Sequence, residues 1–276
     1  MNILFVADIC GRPGRRIAAE LIPHLIKRYD VELCIANGEN AAGGTGITEK
    51  IAEKIHTYGV HVITSGNHVW DKKDALPYIE RAEYLIRPAN YPPGVEGKGS
   101  VIFQTKSGTL VGVLNLQGRT YIRELDCPFR VGQREIEKLR EVTNIIIVDF
   151  HAEATSEKMA LGWYLNGKVT AVIGTHTHVQ TCDETILPGG TAYITDAGMT
   201  GPHDSVIGVQ KEAAIRRFLL QIPVKLRPAT NNLKLCGVLI EADESTGKAR
   251  KIERVRMDYP DSSRQFEEKA DPSDGE

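Results

Sequence analysis

Five short apolar runs in this chain are each followed at once by side chains that can hold a metal or move a proton. Asp8 follows residues 2–7, and Glu39 with Asn40 follows 33–36. Asn67 with His68 follows 60–64, His151 follows 144–148, and His176 with His178 follows 169–173. Two carboxylates, two amides and four imidazoles make a mixed oxygen and nitrogen set. Such a set suits borderline divalent metals such as Mn, Fe or Zn. It holds too many ligands for one tetrahedral zinc and about enough for two ions sharing a bridge.

Each residue also has a plainer reading when taken alone. Asp8 could cap a helix, and Asn40 and Asn67 are ordinary turn residues. His151 could be a hydrogen-bonded core histidine. His176 and His178 are a stronger pair, because alternate residues of an extended chain share a side. The joint occurrence, every cluster directly after an apolar run, argues for a common site.

The elements that must position these residues follow from the same pattern. Nearly continuous apolar runs read as strands buried on both faces. In open α/β sheets, ligands bind beyond the carboxyl ends of the strands. Helices are expected over 13–29, from 48, and over 71–81, 134–141, 156–165 and 211–221. Further strands are expected at 191–195, ending at Asp196, as a hairpin over 100–105 and 109–116, and as a late antiparallel pair over 233–241 and 248–257. The early βα alternation and the later hairpins predict one domain with two sheets, covering 1–257. Residues 258–276 carry seven acids and two bases, without apolar periodicity, and read as an acidic, flexible tail.

Composition narrows the function classes. Lys plus Arg is 34 against 36 Asp plus Glu. That balance gives no electrostatic case for dedicated nucleic-acid binding or a polybasic membrane surface. No run approaches the roughly 20 apolar residues of a membrane span. The N-terminal residues lack the basic start of a signal peptide. Five Cys occur singly at 10, 34, 127, 182 and 236, which points to reduced thiols and a cytoplasmic location. Self-association is common among soluble chains of this kind, so a homo-oligomer is kept among the expected partners.

The motifs around these residues resemble a known family. Gly66-Asn67-His68 and Gly174-Thr175-His176-Thr177-His178 resemble signatures of calcineurin-like metallophosphoesterases. Two signatures depart from that pattern. The D-x-H element is Asp8-Ile9-Cys10, and the GD pair is Gly38-Glu39-Asn40. These departures, with the stretches 37–42, 66–73, 115–120, 149–158, 174–181 and 196–202, resemble the YmdB-like phosphodiesterases over residues 2 to about 257.

The resemblance implies an α/β fold, a four-layer α-β-β-α sandwich of the calcineurin-like metallophosphoesterase type. It implies two divalent metal ions, with Fe or Mn favoured and Zn compatible. Asp8, Asn40 and His178 would hold the first, Asn67, His151 and His176 the second, and Glu39 would bridge them. It also implies hydrolysis of cyclic nucleotides, 2′,3′-cyclic nucleotides first, by a metal-bridging hydroxide with His68 as general acid. The substrate is then a small-molecule phosphodiester. Asn40 would replace the missing histidine of the first signature, leaving Cys10 as a small buried residue rather than a thiolate ligand.

Other side chains have two readings each. Arg119 could contact phosphate or be an exposed loop residue. Residues 43–46 and 198–207 could shape the substrate mouth or merely connect elements. His203 could touch a base or ribose but is expected in a solvent-facing turn. Trp70 could stack on a base but is expected to pack. Glu153 and Glu157 could orient a ligand histidine or be surface charges at a helix start. The rival functions are a phosphomonoesterase or nuclease on the same site, and a nucleotide-binding regulator with little turnover. A nuclease needs a basic track, and the sequence has no dense Lys/Arg run. A decayed site would lack a ligand or the acid, and all eight residues are present.

Overall fold

The computed structural model describes residues 1–259. In chain order the elements are β1 (Asn2–Val6), α1 (Gly11–Arg28), β2 (Val31–Asn37), α2 (Glu49–Thr57), β3 (Val62–Thr64) and α3 (Ala75–Arg81). Then come β4 (Ser100–Gln104), β5 (Leu110–Gln117), α4 (Pro128–Arg140), β6 (Ile146–His151), α5 (Thr155–Tyr164) and β7 (Ala171–Thr175). The last are β8 (Thr185–Ile186), β9 (Ala192–Ile194), β10 (Gly201–Pro202), α6 (Lys211–Leu220), β11 (Leu233–Ala242) and β12 (Ala249–Asp258).

Two six-stranded sheets face each other. One runs β10-β11-β1-β2-β3 with β12 paired to β11, and the other runs β4-β5-β6-β7-β9-β8. Strand alternation explains the layers. Along β1, Phe5 and Ile3 join Ile35, Val113, Ile147 and Ile173 in a core between the sheets. Leu4 and Val6 point the other way, under Ile17, Leu21 and Ile22 of α1 and Ile51 and Ile55 of α2. On the far side, Leu114, Leu116, Val148 and Phe150 pack against Val131, Ile136 and Leu139 of α4 and Leu161 of α5. The expected α-β-β-α sandwich is the observed one.

Strands β1, β2 and β3 run parallel, as do β5, β6, β7 and β9. Their carboxyl ends therefore gather at one edge of each sheet. Several boundaries differ from expectation. α4 starts six residues earlier than expected, at Pro128, whose missing N–H costs nothing at the first helical position. α3 starts at Ala75 rather than at 71, because Asp71 closes a turn on His68. β6 extends to His151, so that histidine is the last strand residue and not the first loop residue. The short strands β8 and β10 carry too few residues to leave a pattern. β12 includes Asp258, and Tyr259 is buried with its hydroxyl donating to Glu20. The rest of the expected tail, 260–276, lies outside the described residues. Among the described residues, no helix is long and apolar enough to cross a membrane.

Candidate metal centre

The strand ends bring seven of the expected side chains into two adjoining clusters. In the first, His151 Nε2 lies 2.9 Å from Glu39 Oε1, 3.1 Å from Asn67 Oδ1 and 3.0 Å from His176 Nδ1. Glu39, His151 and His176 can together offer three ligand atoms to one ion. In the second, His178 Nε2 lies 3.1 Å from Asn40 Nδ2 and 4.0 Å from Asp8 Oδ2. Asn40 Nδ2 is also 3.2 Å from Glu39 Oε1. Glu39 Oε1 thus borders both clusters. A half-turn of the Asn40 amide, whose N and O positions are an assignment, presents Oδ1 to the same point.

The donor set fits divalent ions on three observations. Asp8 Oδ1 is buried and has no hydrogen-bond partner among the described residues, an expensive state for a carboxylate oxygen. Gly66 leaves room that a Cβ would fill, 2.2 Å from Glu39 Oε2 and 2.4 Å from His151 Nε2. The third observation concerns the tautomers. Thr175 Oγ1 gives its single proton to Asp149 Oδ1 at 2.7 Å, so it must accept from His151 Nδ1 at 2.9 Å. His178 Nδ1 faces the carbonyl of Ile207 at 2.8 Å, an acceptor only. His176 Nε2 faces Glu153 Oε2 at 3.0 Å. Each outer partner fixes a proton on the far ring nitrogen and turns the inner one, His151 Nε2, His178 Nε2 and His176 Nδ1, toward the clusters as the atom that could ligate.

Electrostatics inside the cluster are strong. Burial lifts Asp8 to about 6, against the charges of His178 and His151. Burial would also lift Glu39, but the charge and hydrogen bond of His151 outweigh it and bring Glu39 to about 2. Burial would lower His151, yet Glu39, Asp8 and Asp149 carry it up to about 9. Burial and the neighbouring His151 charge push His176 down to about 3.

The backbone is bent to serve the site. His176 has φ 99° and His178 φ 65°, left-handed conformations that cost about 1–3 kcal/mol each for such residues. The His176 N–H donates to Asp8 Oδ2 at 3.0 Å.

His68 stands apart from both clusters. Its backbone N–H donates to Glu39 Oε2 at 3.3 Å, while its ring is partly exposed and bonds Asp71 Oδ2 through Nδ1 at 2.7 Å. That contact orients the ring and leaves Nε2 available. Gly46, at φ 74°, packs against this segment, since a Cβ there would meet Lys72 Cγ at 2.9 Å and His68 O at 3.2 Å.

The remaining residues separate cleanly. Glu153 does face a cluster histidine. Glu157 does not, because its buried carboxylate accepts the backbone N–H groups of Arg119 and Thr120. The Arg119 residue itself is exposed. His203 is half-buried with its ring on the Met199 carbonyl, so it is not in a solvent-facing turn. Trp70 packs edge-on against Tyr91. Cys10 is buried, and burial with the Asp8 charge pushes its thiol to about 12. The sequence pattern assigns no role to Asp71, Asp149, Thr175, Lys158 or Asp196.

Comparisons with known proteins give the family of the chain. The family model described as YmdB-like protein matches residues 4–255. The chain belongs to that family. It is 49% identical over 255 residues to the 2′,3′-cyclic-nucleotide 2′-phosphodiesterase of Bacillus subtilis (strain 168), covering 92% of this chain and 96% of that protein. Among solved structures, a hypothetical protein from Thermus thermophilus superposes with a TM-score of 0.89 at 39% identity, over 94% of this chain and all of that one. A phosphatase from Mycoplasma pneumoniae gives 0.87 at 36% identity, over 94% and 93%.

Proposed function

We propose that this chain hydrolyses cyclic nucleotides, with 2′,3′-cyclic nucleotides as the substrate class, at a centre for two divalent ions. The observation that carries the proposal is Glu39 Oε1, which borders both donor clusters at 2.9 Å from His151 Nε2 and 3.2 Å from Asn40 Nδ2. In this reading Asp8, Asn40 and His178 would hold one ion, Asn67, His151 and His176 would hold the other, and Glu39 would serve both. The oxygen and imidazole donors suit Fe or Mn, and Zn is compatible. Bound there, two such ions would supply Lewis-acid charge for the phosphoryl oxygens and an acidified water.

The protein's own groups complete the chemistry. Only two of the seven ligands are carboxylates, so the loaded site keeps a positive excess that attracts a phosphodiester anion. His68, at the rim and steadied by Asp71, gives its Nε2 proton to the leaving ribose oxygen. General acid catalysis of this type contributes about 10²–10⁴-fold. The substrate class is supported by the activity named for the Bacillus relative. Residues 1–257 act as one catalytic unit in this reading. The free cysteines accord with a reducing, cytoplasmic compartment.

The test is hydrolysis of 2′,3′-cyclic AMP by protein loaded anaerobically with Fe²⁺ or Mn²⁺, beside a chelated control. Turnover in the loaded sample alone is the expected result. No turnover at full two-metal occupancy would make the substrate wrong. Equal turnover in both samples would reject the metal centre.

A further inference from the structure

The His176-Thr177-His178 turn carries one ligand for each cluster, and both histidines sit at positive φ. A strained turn keeps its shape only if its surroundings over-determine it. The Asp8 carboxylate holds one end, through His176 N–H. The middle is held by a residue outside the ligand set. Asp196 Oδ2 accepts Thr177 N–H at 3.0 Å and Thr177 Oγ1 at 2.7 Å, and Asp196 Oδ1 accepts Gly198 N–H at 2.9 Å. The backbone of Asp196 closes the loop, exchanging bonds with Thr181 just past the turn.

Asp196 is fully buried, and its counter-charge is Lys158, whose Nζ lies 2.7 Å from Oδ2. The two side chains are each 1% exposed. Lys158 reaches this point from α5 alongside Gly174 of β7, a position closely packed on both sides. A Cβ there would lie 3.2 Å from Lys158 Cδ and 1.8 Å from Thr195 O. Two charges taken out of water are weak evidence for stability, so the pair calls for another explanation. Its geometry supplies one, since the carboxylate oxygen that Lys158 pins is the one that grips Thr177.

We propose that Asp196 is the positioning residue that holds the His176–His178 turn in its ligating shape, with Lys158 fixing the carboxylate in place. The proposal rests on the metal-centre reading above. Among the described residues, no hydrogen bond or ion pair links either side chain to the clusters' ligand atoms. They act through the backbone between two ligands, as outer partners commonly do.

The test is Mn²⁺ titration of the full chain, read by bound equivalents and affinity, with circular dichroism of the chelated protein as the check on folding. Lys158→Met alone leaves a buried unpaired carboxylate and disturbs fold and site together. The decisive variant is therefore Lys158→Met/Asp196→Asn, which removes both charges and keeps the shape. The expected result is a folded chain whose Mn²⁺ affinity falls by about 10–100-fold. Lys158→Arg, which keeps both charges and the carboxylate, should retain most of the parental affinity. A folded double variant with parental affinity would overturn the positioning role and leave the metal centre intact. A double variant unfolded at 25 °C would assign the pair to structure and overturn the proposal as well. Absence of Mn²⁺ binding by the parent chain would remove both readings.

Discussion

His151 Nε2 sits 2.9 Å from Glu39 Oε1, with both side chains essentially inaccessible to solvent. At that distance the pair can share a proton, which a metal ion at Nε2 would displace. Glu39 and its neighbours carry His151, against burial, up to about 9. A cation bound at Nε2 therefore expels that proton at neutral pH. On loading the chelated protein with Mn²⁺ in weak buffer, the share of proton release that comes from His151 should be about one per chain at pH 7 and about half that at pH 9, beside whatever an acidified metal-bound water releases. Apparent affinity should rise with pH up to that point. The stability of the chelated protein should move the other way. A raised histidine stabilises fully below its unfolded value of 6.5 and loses that contribution as pH climbs through about 9. The melting temperature without metal should thus drop between those limits. A flat proton count and a flat melting curve would mean that His151 is neutral beside Glu39.

Gly66 makes the most direct test of the cluster geometry. A methyl group at this position would meet a buried carboxylate and a buried imidazole at under 3 Å, and neither can retreat into solvent. Overpacking of this kind costs about 1–3 kcal/mol, which a two-sheet core tolerates. Gly66→Ala should fold, retain little metal and lose most of its turnover. Elemental analysis after gel filtration gives the metal content. Two retained equivalents would show that the space at Gly66 is not part of the site.

His68 separates proton delivery from metal binding. Its ring bonds Asp71 at the rim, and its contact with the clusters is a backbone N–H to Glu39 Oε2. His68→Ala should keep both metal equivalents while kcat falls about 10²–10⁴-fold. Asp71→Asn can no longer accept through a charged oxygen, and should lose less. A substrate with an activated leaving group should recover much of the His68→Ala loss, since it needs no acid. Loss of metal in His68→Ala would place that histidine among the ligands instead.

The strand-end clusters are legible because parallel strands buried on both faces read as unbroken apolar runs. The polar residue that ends each run is then conspicuous. Asp8, Asn40 and His178 are far apart in sequence and still announce themselves this way. Asp196 carries the same signal after 191–195 without joining either cluster, and its charge is paired with Lys158, 38 residues upstream. A contact of that separation leaves no spacing to read. The same holds for Asp149 behind Thr175, and for Glu157 under the 119–120 backbone. His203 misleads for a different reason. A histidine in a Gly/Pro-rich turn looks solvent-facing, but the turn folds its ring onto Met199 O.

Glu153 offers a last test, because its effect should depend on hydrogen-bond chemistry rather than charge. Its Oε2 lies 3.0 Å from His176 Nε2 and its side chain is 47% exposed. The bond favours the His176 proton on Nε2 and so leaves Nδ1 available to a metal. Glu153→Gln still offers an amide oxygen to that N–H and should hold metal nearly as the parent does. Glu153→Ala leaves the ring to water, which replaces a buried partner poorly and an exposed one well. Its loss of Mn²⁺ affinity should therefore lie near the lower end of the usual range for outer partners, about tenfold. Titration of both variants decides the point. Equal losses in Gln and Ala would make the carboxylate charge the operative feature, and an unchanged Ala variant would mean that water alone sets the His176 tautomer.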